Sequence, residues 1–263
     1  MTDAMFRSFS CAGDGELLDG VESRPSGPES PSAVVLLHGA GTSDKARLTG
    51  LMADFSARGH RALAFDFSGH GSSSGTLPEL SLRRRFTQAE TVIGRQVPAG
   101  HDLVLIGFSM SGQTVADLAR HYGRRVTAIG LCAPAVYARR AWSVRFDAGF
   151  TDIIRTPDSW RDSTALDTFR TFPARAVLAV PAVDAVIPPA VTGAVAEALA
   201  ARSCFTHLTF PDADHQLALW FRDHAGHRRR FVDAVLASRE DPVSGDADGV
   251  RAAPPGRRSA PPG

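Results

Sequence analysis

A serine hydroxyl is a poor nucleophile near neutral pH unless a base takes its proton. That base needs a carboxylate to fix its tautomer and to stabilise the cation it becomes. One serine of this 263-residue chain stands where such help can be organised. Gly107-Phe108-Ser109-Met110-Ser111-Gly112 follows directly on the apolar run Leu103–Gly107 and directly precedes a helical stripe. A sharp strand-to-helix turn of this kind lifts the central hydroxyl above the carboxyl ends of the strands. Small residues two positions to either side let the backbone pass close to its neighbours. The helix N-terminus also faces the negative charge that develops during attack. Ser111 occupies a position that is ordinarily glycine; with so small a side chain, and Gly112 next to it, the turn is expected to survive with tighter packing.

The partners follow in chain order. Asp184 lies just past the apolar run Ala176–Pro181, and His215 just past Phe205–Phe210. Serine, acid and histidine thus each follow a separate strand, at the edge where open α/β sheets place their sites. Asp212 and Asp214 are rival acids, but sitting so close to His215 in the chain makes their geometry awkward, and the loop after Cys132 has no carboxylate. Acyl transfer also needs donors for the tetrahedral oxyanion. Leu37-His38-Gly39-Ala40-Gly41 follows the first core strand, so the Ala40 and Met110 N–H groups are the expected oxyanion donors. His38, at the strand end, reads as a structural hydrogen-bonding residue.

The elements that must position these groups alternate regularly. Short apolar runs at Ala33–His38, Ala62–Asp66, Leu103–Gly107, Val126–Cys132, Ala176–Pro181 and Phe205–Phe210 are continuous rather than alternating, as strands buried on both faces are. Between them lie helical stripes: Leu48, Leu51, Met52 and Phe55, stopped by Gly59; Leu82, Phe86, Ala89 and Ile93; Val115, Leu118, Ala119 and Tyr122, stopped by Gly123; and Val191, Val195 and Leu199. A last helix opens at Leu217 and is expected to reach Val235. Met5–Ser10 and Glu16–Gly20 flank a Gly-Asp-Gly turn and predict an antiparallel hairpin. The sum is a doubly wound α/β domain with about eight strands, mostly parallel. Residues 21–32 read as a surface loop.

The 42 residues between Ala133 and Ala176 are too many for an ordinary connection. They predict a small helical cap over about 134–165, followed by a framework helix near Ala165–Phe172. Trp142, Phe146, Phe150 and Trp160 fall here as candidate substrate-binding residues; they line an apolar pocket or pin the cap to the body. Residues 1–238 are expected to form the domain. Residues 239–263, with five Pro and four Gly, are expected to be a disordered tail.

Composition excludes several classes. Twenty-nine Lys+Arg against 28 Asp+Glu give a net charge of +1, no basis for nucleic acid or an anionic membrane as partner. The apolar stretch near 176–200 is broken by Pro181, Asp184, Pro188 and Pro189, so no membrane span is expected. Met1–Ser10 lacks a secretory pattern, and Cys11, Cys132 and Cys204 are an odd, scattered set. The expectation is a cytoplasmic protein without a disulfide framework or zinc site. Twenty-eight of the 29 cationic residues are Arg and one is Lys45, a skew that reads as codon usage.

Across residues 5–237 the chain resembles the α/β-hydrolase superfamily. The likeness rests on Gly15–Gly20, the His38–Gly41 turn, Asp66–Ser72, the Ser109 turn, Asp184 with Pro188, and His215. It is similar to small serine hydrolases such as cinnamoyl/feruloyl-type esterases and monoacylglycerol-lipase-like enzymes. The resemblance implies hydrolysis of a small-molecule ester or thioester through an acyl-serine, with no cofactor and no metal. It also makes Asp66–Ser73 a structural loop and leaves His70 without a catalytic role. Pro181 and Ser111 depart from the family pattern, where glycines are usual, and point to a divergent branch. The same machinery serves acyl transfer, thioester release or carboxylate elimination on an acylated metabolite, and some members of this fold only bind ligands. His224 and His227 have a metal-compatible spacing but no neighbouring carboxylate or Cys, and read as surface residues. Arg228–Arg230 reads as a solvated helix face. Arg139 and Arg140 read as surface residues of the cap.

Overall fold

A computed structural model describes residues 5–238; the expected tail at 239–263 lies outside the described residues. The chain opens with β1 (Met5–Gly13) and β2 (Glu16–Arg24), paired antiparallel with Gly13 opposite Glu16. Their two-residue turn, Asp14-Gly15, has both φ angles positive, at 55° and 79°. That is the turn whose twist matches a hairpin. Then follow β3 (Ser32–Leu37), β4 (Arg61–Phe65), β5 (Asp102–Phe108), β6 (Val126–Cys132), β7 (Arg175–Pro181) and β8 (Cys204–Phe210). They form one eight-stranded sheet in the order β1-β2-β4-β3-β5-β6-β7-β8. β2 runs antiparallel to β4, and from β4 through β8 every pairing is parallel.

Both faces of the sheet are apolar because successive side chains point opposite ways. Along β3, Val35 and Leu37 join one core cluster while Val34 and Leu36 join the other. The first face is covered by α2 (Leu82–Gln96), α3 (Ser111–Tyr122), α5 (Thr164–Thr171) and α6 (Pro189–Ala200), through residues such as Ile93, Leu118, Phe169 and Val195. The second is covered by α1 (Thr49–Ser56), α7 (Leu217–Asp223) and α8 (Ala225–Leu236), through Phe55, Phe221 and Phe231. This is the eight-stranded, mostly parallel α/β architecture that the sequence pattern predicts.

Two expectations need correcting. Residues 21–24 belong to β2 rather than to a loop, with Val21–Ser23 paired to both β1 and β4. Their polarity misleads because it is satisfied inside: the buried Glu22 carboxylate accepts from Arg61 and Arg24, and the Ser23 hydroxyl meets that of Ser56. The single C-terminal helix is two, α7 and α8, broken at His224 (φ −122°, ψ 73°). The broken ends are closed by side chains. His224 Nδ1 lies 2.9 Å from Trp220 O, and Arg228 donates to Phe221 O at 2.8 Å.

The segment between β6 and β7 holds short turns at Arg139–Ala141, Phe146–Phe150 and Ser159–Asp162, and a single turn of α-helix, α4 (Thr151–Arg155). It is fastened by Trp142, whose Nε1 donates to the buried Asp117 on α3, and by Arg139, which pairs with Asp162 and with Asp167 on α5. No helix among the described residues is long and apolar enough to cross a membrane.

Candidate active site

β5 hands over to α3 through Ser109, which has φ +50°. A non-glycine residue in this left-handed region is strained, and the surrounding backbone holds it there. Ser109 N–H donates to Cys132 O, and Ser109 O accepts from the N–H groups of Gly112 and Ala135, each at 2.9 Å. Close packing explains the flanking glycines. A Cβ on Gly107 would lie 2.6 Å from Ser111 O, and one on Gly112 2.7 Å from Pro134 Cβ. The second obligatory glycine is therefore position 112 rather than 111.

Ser111 uses the side chain so permitted. Its buried hydroxyl donates to His38 O at 2.7 Å and accepts from Arg85 at 2.8 Å, while Arg85 also reaches His38 O at 2.7 Å. The Arg85 guanidinium is fully buried on the Phe67 ring, 3.7 Å from its centroid. No carboxylate among the described residues pairs with it, and burial pulls its pKa down to about 9. This network, absent from the sequence expectations, ties the start of the His38–Gly41 turn to the Ser109 elbow. The sequence signal was there in the serine at 111, but its partner on α2 carries no local pattern.

The elements that follow β7 and β8 bring the other two groups to Ser109. His215 Nε2 lies 3.0 Å from Ser109 Oγ, and His215 Nδ1 lies 2.9 Å from Asp184 Oδ2. The remaining carboxylate oxygen, Asp184 Oδ1, accepts from the N–H groups of Val186 and Ile187 at 2.8 and 2.9 Å. The carboxylate is thus oriented by its own turn before it meets the imidazole. The rival acids lie apart: Asp214 accepts from Gln216 N–H, and Asp212 is exposed.

The turn after β3 flanks the serine. A Cβ on Gly39 would sit 3.3 Å from Ser109 Cβ, so only glycine lets the backbone approach without pressing on the nucleophile. Among the described residues, neither Ala40 N–H nor Met110 N–H donates to a protein acceptor. His38 is fully buried and neutral. Nδ1–H bonds to Gly39 O at 2.7 Å, Nε2 accepts from Phe67 N–H at 3.0 Å, and burial holds its pKa well below the ordinary value. His70 is likewise buried, with Nδ1 on Ser68 O.

A cavity of about 340 Å³ opens on Ser109 and His215, walled by Gly39–Ser43, Arg47, Phe108, Val186 and Gln216–Ala218. A larger depression of about 560 Å³ lies far from this site, at the amino ends of the strands near Val104, Val126 and Arg175. The four cap aromatics do not line the cavity at Ser109, which corrects their reading as its walls. Phe150 is buried with Leu82, Met110 and Ala141, the Phe146 ring lies tilted against it at 4.6 Å, and Trp160 packs on the main core under Arg161. They hold the segment between β6 and β7 against the domain; the sequence leaves both readings open because such a core and a pocket wall have the same composition. Sequence reasoning missed two of the residues that form the walls, Arg47 and Val186, because the short 3-10 turn Lys45–Leu48 and the loop after β7 carry no periodic pattern.

His224 stacks on Trp220 at 3.4 Å, and His227 accepts from Trp220 Nε1. Arg228 is half-buried and paired with Asp54, not part of a solvated face. No group of three or more His, Cys, Asp or Glu among the described residues is arranged to hold a metal ion.

The profile of the alpha/beta hydrolase family matches residues 34–255. No curated protein matches the chain. Among solved structures, Est1E from Butyrivibrio proteoclasticus with ferulic acid bound superposes with a TM-score of 0.68 at 15% identity, over 88% of this chain and 100% of that one. An enol-lactonase from Burkholderia xenovorans gives 0.65 at 16% identity, over 87% and 100%. The thioesterase domain from the curacin biosynthetic pathway gives 0.62 at 15%, over 87% and 99%. At such identities the likeness is one of fold.

Proposed function

Because this chain is an enzyme of the alpha/beta hydrolase family, we propose that it cleaves a carboxylic ester or thioester of a small organic substrate through an acyl-serine. The observation that carries this reading is the continuous chain Ser109 Oγ, His215 Nε2, His215 Nδ1, Asp184 Oδ2, with links of 3.0 and 2.9 Å. His215 takes the Ser109 proton on Nε2 as Oγ attacks the carbonyl carbon. Asp184 holds the Nδ1–H tautomer and stabilises the imidazolium. The carbonyl oxygen becomes an oxyanion, held by Ala40 and Met110 N–H, whose bonds strengthen as charge builds. His215 then gives its proton to the leaving oxygen or sulfur, and the acyl–Ser109 bond remains. Water, deprotonated by the same Nε2, attacks the acyl carbon, and expulsion of Ser109 Oγ, reprotonated by His215, releases the acid.

Cys11, Cys132 and Cys204 are all free thiols, which suits the reducing cytoplasm as the working compartment. Intact-mass measurement after incubation with a fluorophosphonate tests the mechanism. One adduct is expected on the wild type and none on Ser109→Ala or His215→Ala. Folded wild-type protein that takes no adduct, or a Ser109→Ala variant that keeps substantial esterase activity, would overturn the assignment.

A further inference from the structure

The cavity that opens on Ser109 has an unbalanced charge. Its walls contain no Asp or Glu, and Arg47 is their one permanently charged residue. Arg47 is half-buried, and its guanidinium bonds to neutral acceptors: NH2 to Thr42 O at 2.8 Å and to Thr42 Oγ1 at 3.3 Å, NH1 to Gln216 Oε1 at 3.3 Å. Several other half-buried cations are neutralised, although Arg125, away from this cavity, bonds only to the His101 and Pro98 carbonyls. Lys45, two residues earlier, sits between Asp19 and Asp66; Arg84 meets Asp14 and Glu16; Arg228 meets Asp54. No carboxylate among the described residues lies within ion-pairing distance of Arg47.

The nearby acids are committed elsewhere. Asp44 accepts from the backbone N–H of Arg47, not its guanidinium; Asp184 is used by His215 and its own turn; Asp214 accepts from Gln216 N–H. The bonds to Thr42 and Gln216 hold the guanidinium at the mouth. Gln216 directly follows His215, so Arg47 is fastened beside the reacting groups. A guanidinium presents its donors as a rigid fork that fits a carboxylate.

We propose that Arg47 is a carboxylate-recognising residue of this site, and that the substrate is a compact ester carrying a second, free carboxylate, as a monoester of a short dicarboxylic acid does. The inference rests on the serine-hydrolase reading for the scissile bond, but not for the binding. The carboxylate docks on Arg47, and the ester carbonyl is presented to Ser109.

Calorimetry on Ser109→Ala separates the two readings, because binding is measured without turnover. Monomethyl glutarate and its neutral counterpart dimethyl glutarate are titrated into Ser109→Ala and into Ser109→Ala/Arg47→Gln. The monoester is expected to bind the single variant about 10-fold or more tighter than the diester, and the added Arg47→Gln change to remove that preference. In the active enzyme, Arg47→Gln should raise KM for p-nitrophenyl hemiglutarate about 10-fold more than it raises KM for p-nitrophenyl valerate. Equal binding of monoester and diester, or a preference that survives Arg47→Gln, overturns the proposal. Fluorophosphonate labelling of the wild type, lost in Ser109→Ala, reports on the hydrolytic reading separately, whichever way the binding result falls.

Discussion

Replacing Ser111 by the glycine that this turn ordinarily carries is expected to weaken the protein. The Ser111 hydroxyl bridges His38 O and Arg85 at 2.7 and 2.8 Å, and all three residues are fully buried. Its removal deletes a neutral bond worth about 1 kcal/mol and a charge-assisted one worth roughly 1.5–3 kcal/mol. Glycine adds up to about 1 kcal/mol of backbone entropy in a helix, less at the first position of α3. Arg85 keeps its bond to His38 O and can settle toward the gap, so the net loss is expected near the lower end, about 3 kcal/mol. For a chain of this size that lowers the melting temperature by roughly 6–12 °C. Ser111→Ala loses the same bonds without the backbone freedom and should fall between glycine and wild type. Thermal melts followed by circular dichroism, with urea titrations at fixed pH, read the effect directly. Fluorophosphonate labelling should also slow, because His38 begins the turn that carries Ala40. If both variants melt within about 2 °C of wild type, the bridge contributes nothing and the reasoning about this departure is wrong.

Two further outcomes are expected. Ser109 holds φ +50°, so Ser109→Gly should be more stable than Ser109→Ala by about 1 kcal/mol, although both lack the hydroxyl; equal urea midpoints would show that the elbow stores no strain. Asp117 is 2% exposed in its side chain, and burial raises its pKa from 3.8 to about 6 despite bonds from Trp142 and Gln113. The folded state thus holds the proton more tightly than the unfolded chain. This term is most favourable at low pH and is lost as pH rises from about 4 to about 6, at a cost of up to roughly 2–3 kcal/mol. Urea titrations across that window should show the decline and Asp117→Asn should flatten it; a slope unchanged in the variant would count against the assignment.

The strands and helices were legible because their signals are local. Continuous apolar runs such as Leu103–Gly107 identified buried strands, and stripes such as Val115, Leu118 and Ala119 identified helix faces. The misreadings share one cause. Glu22 and Ser23 look like loop residues until Arg61 and Ser56 are placed against them from elsewhere in the chain. The break at His224 depends on Trp220 stacking and on Arg228 reaching back to Phe221 O, contacts that periodicity does not encode. The aromatics between β6 and β7 stand out as a group in the sequence, but whether such rings face a ligand or a protein core depends on how the segment lies.

By itself, the sequence determined the alternation that makes a parallel sheet, and the order in which Ser109, Asp184 and His215 leave its strands. A strand end is a place in the chain as well as in space, so a residue just past it is delivered to the same edge wherever the strand packs. Only the tertiary structure decided that Ser111 joins His38 to Arg85, that the aromatics of the cap turn inward, and that Arg47 faces the cavity without a counter-ion. Those facts depend on side chains separated by tens of residues meeting across loops, where burial and the supply of opposite charge are set by the packed fold and not by neighbours along the chain.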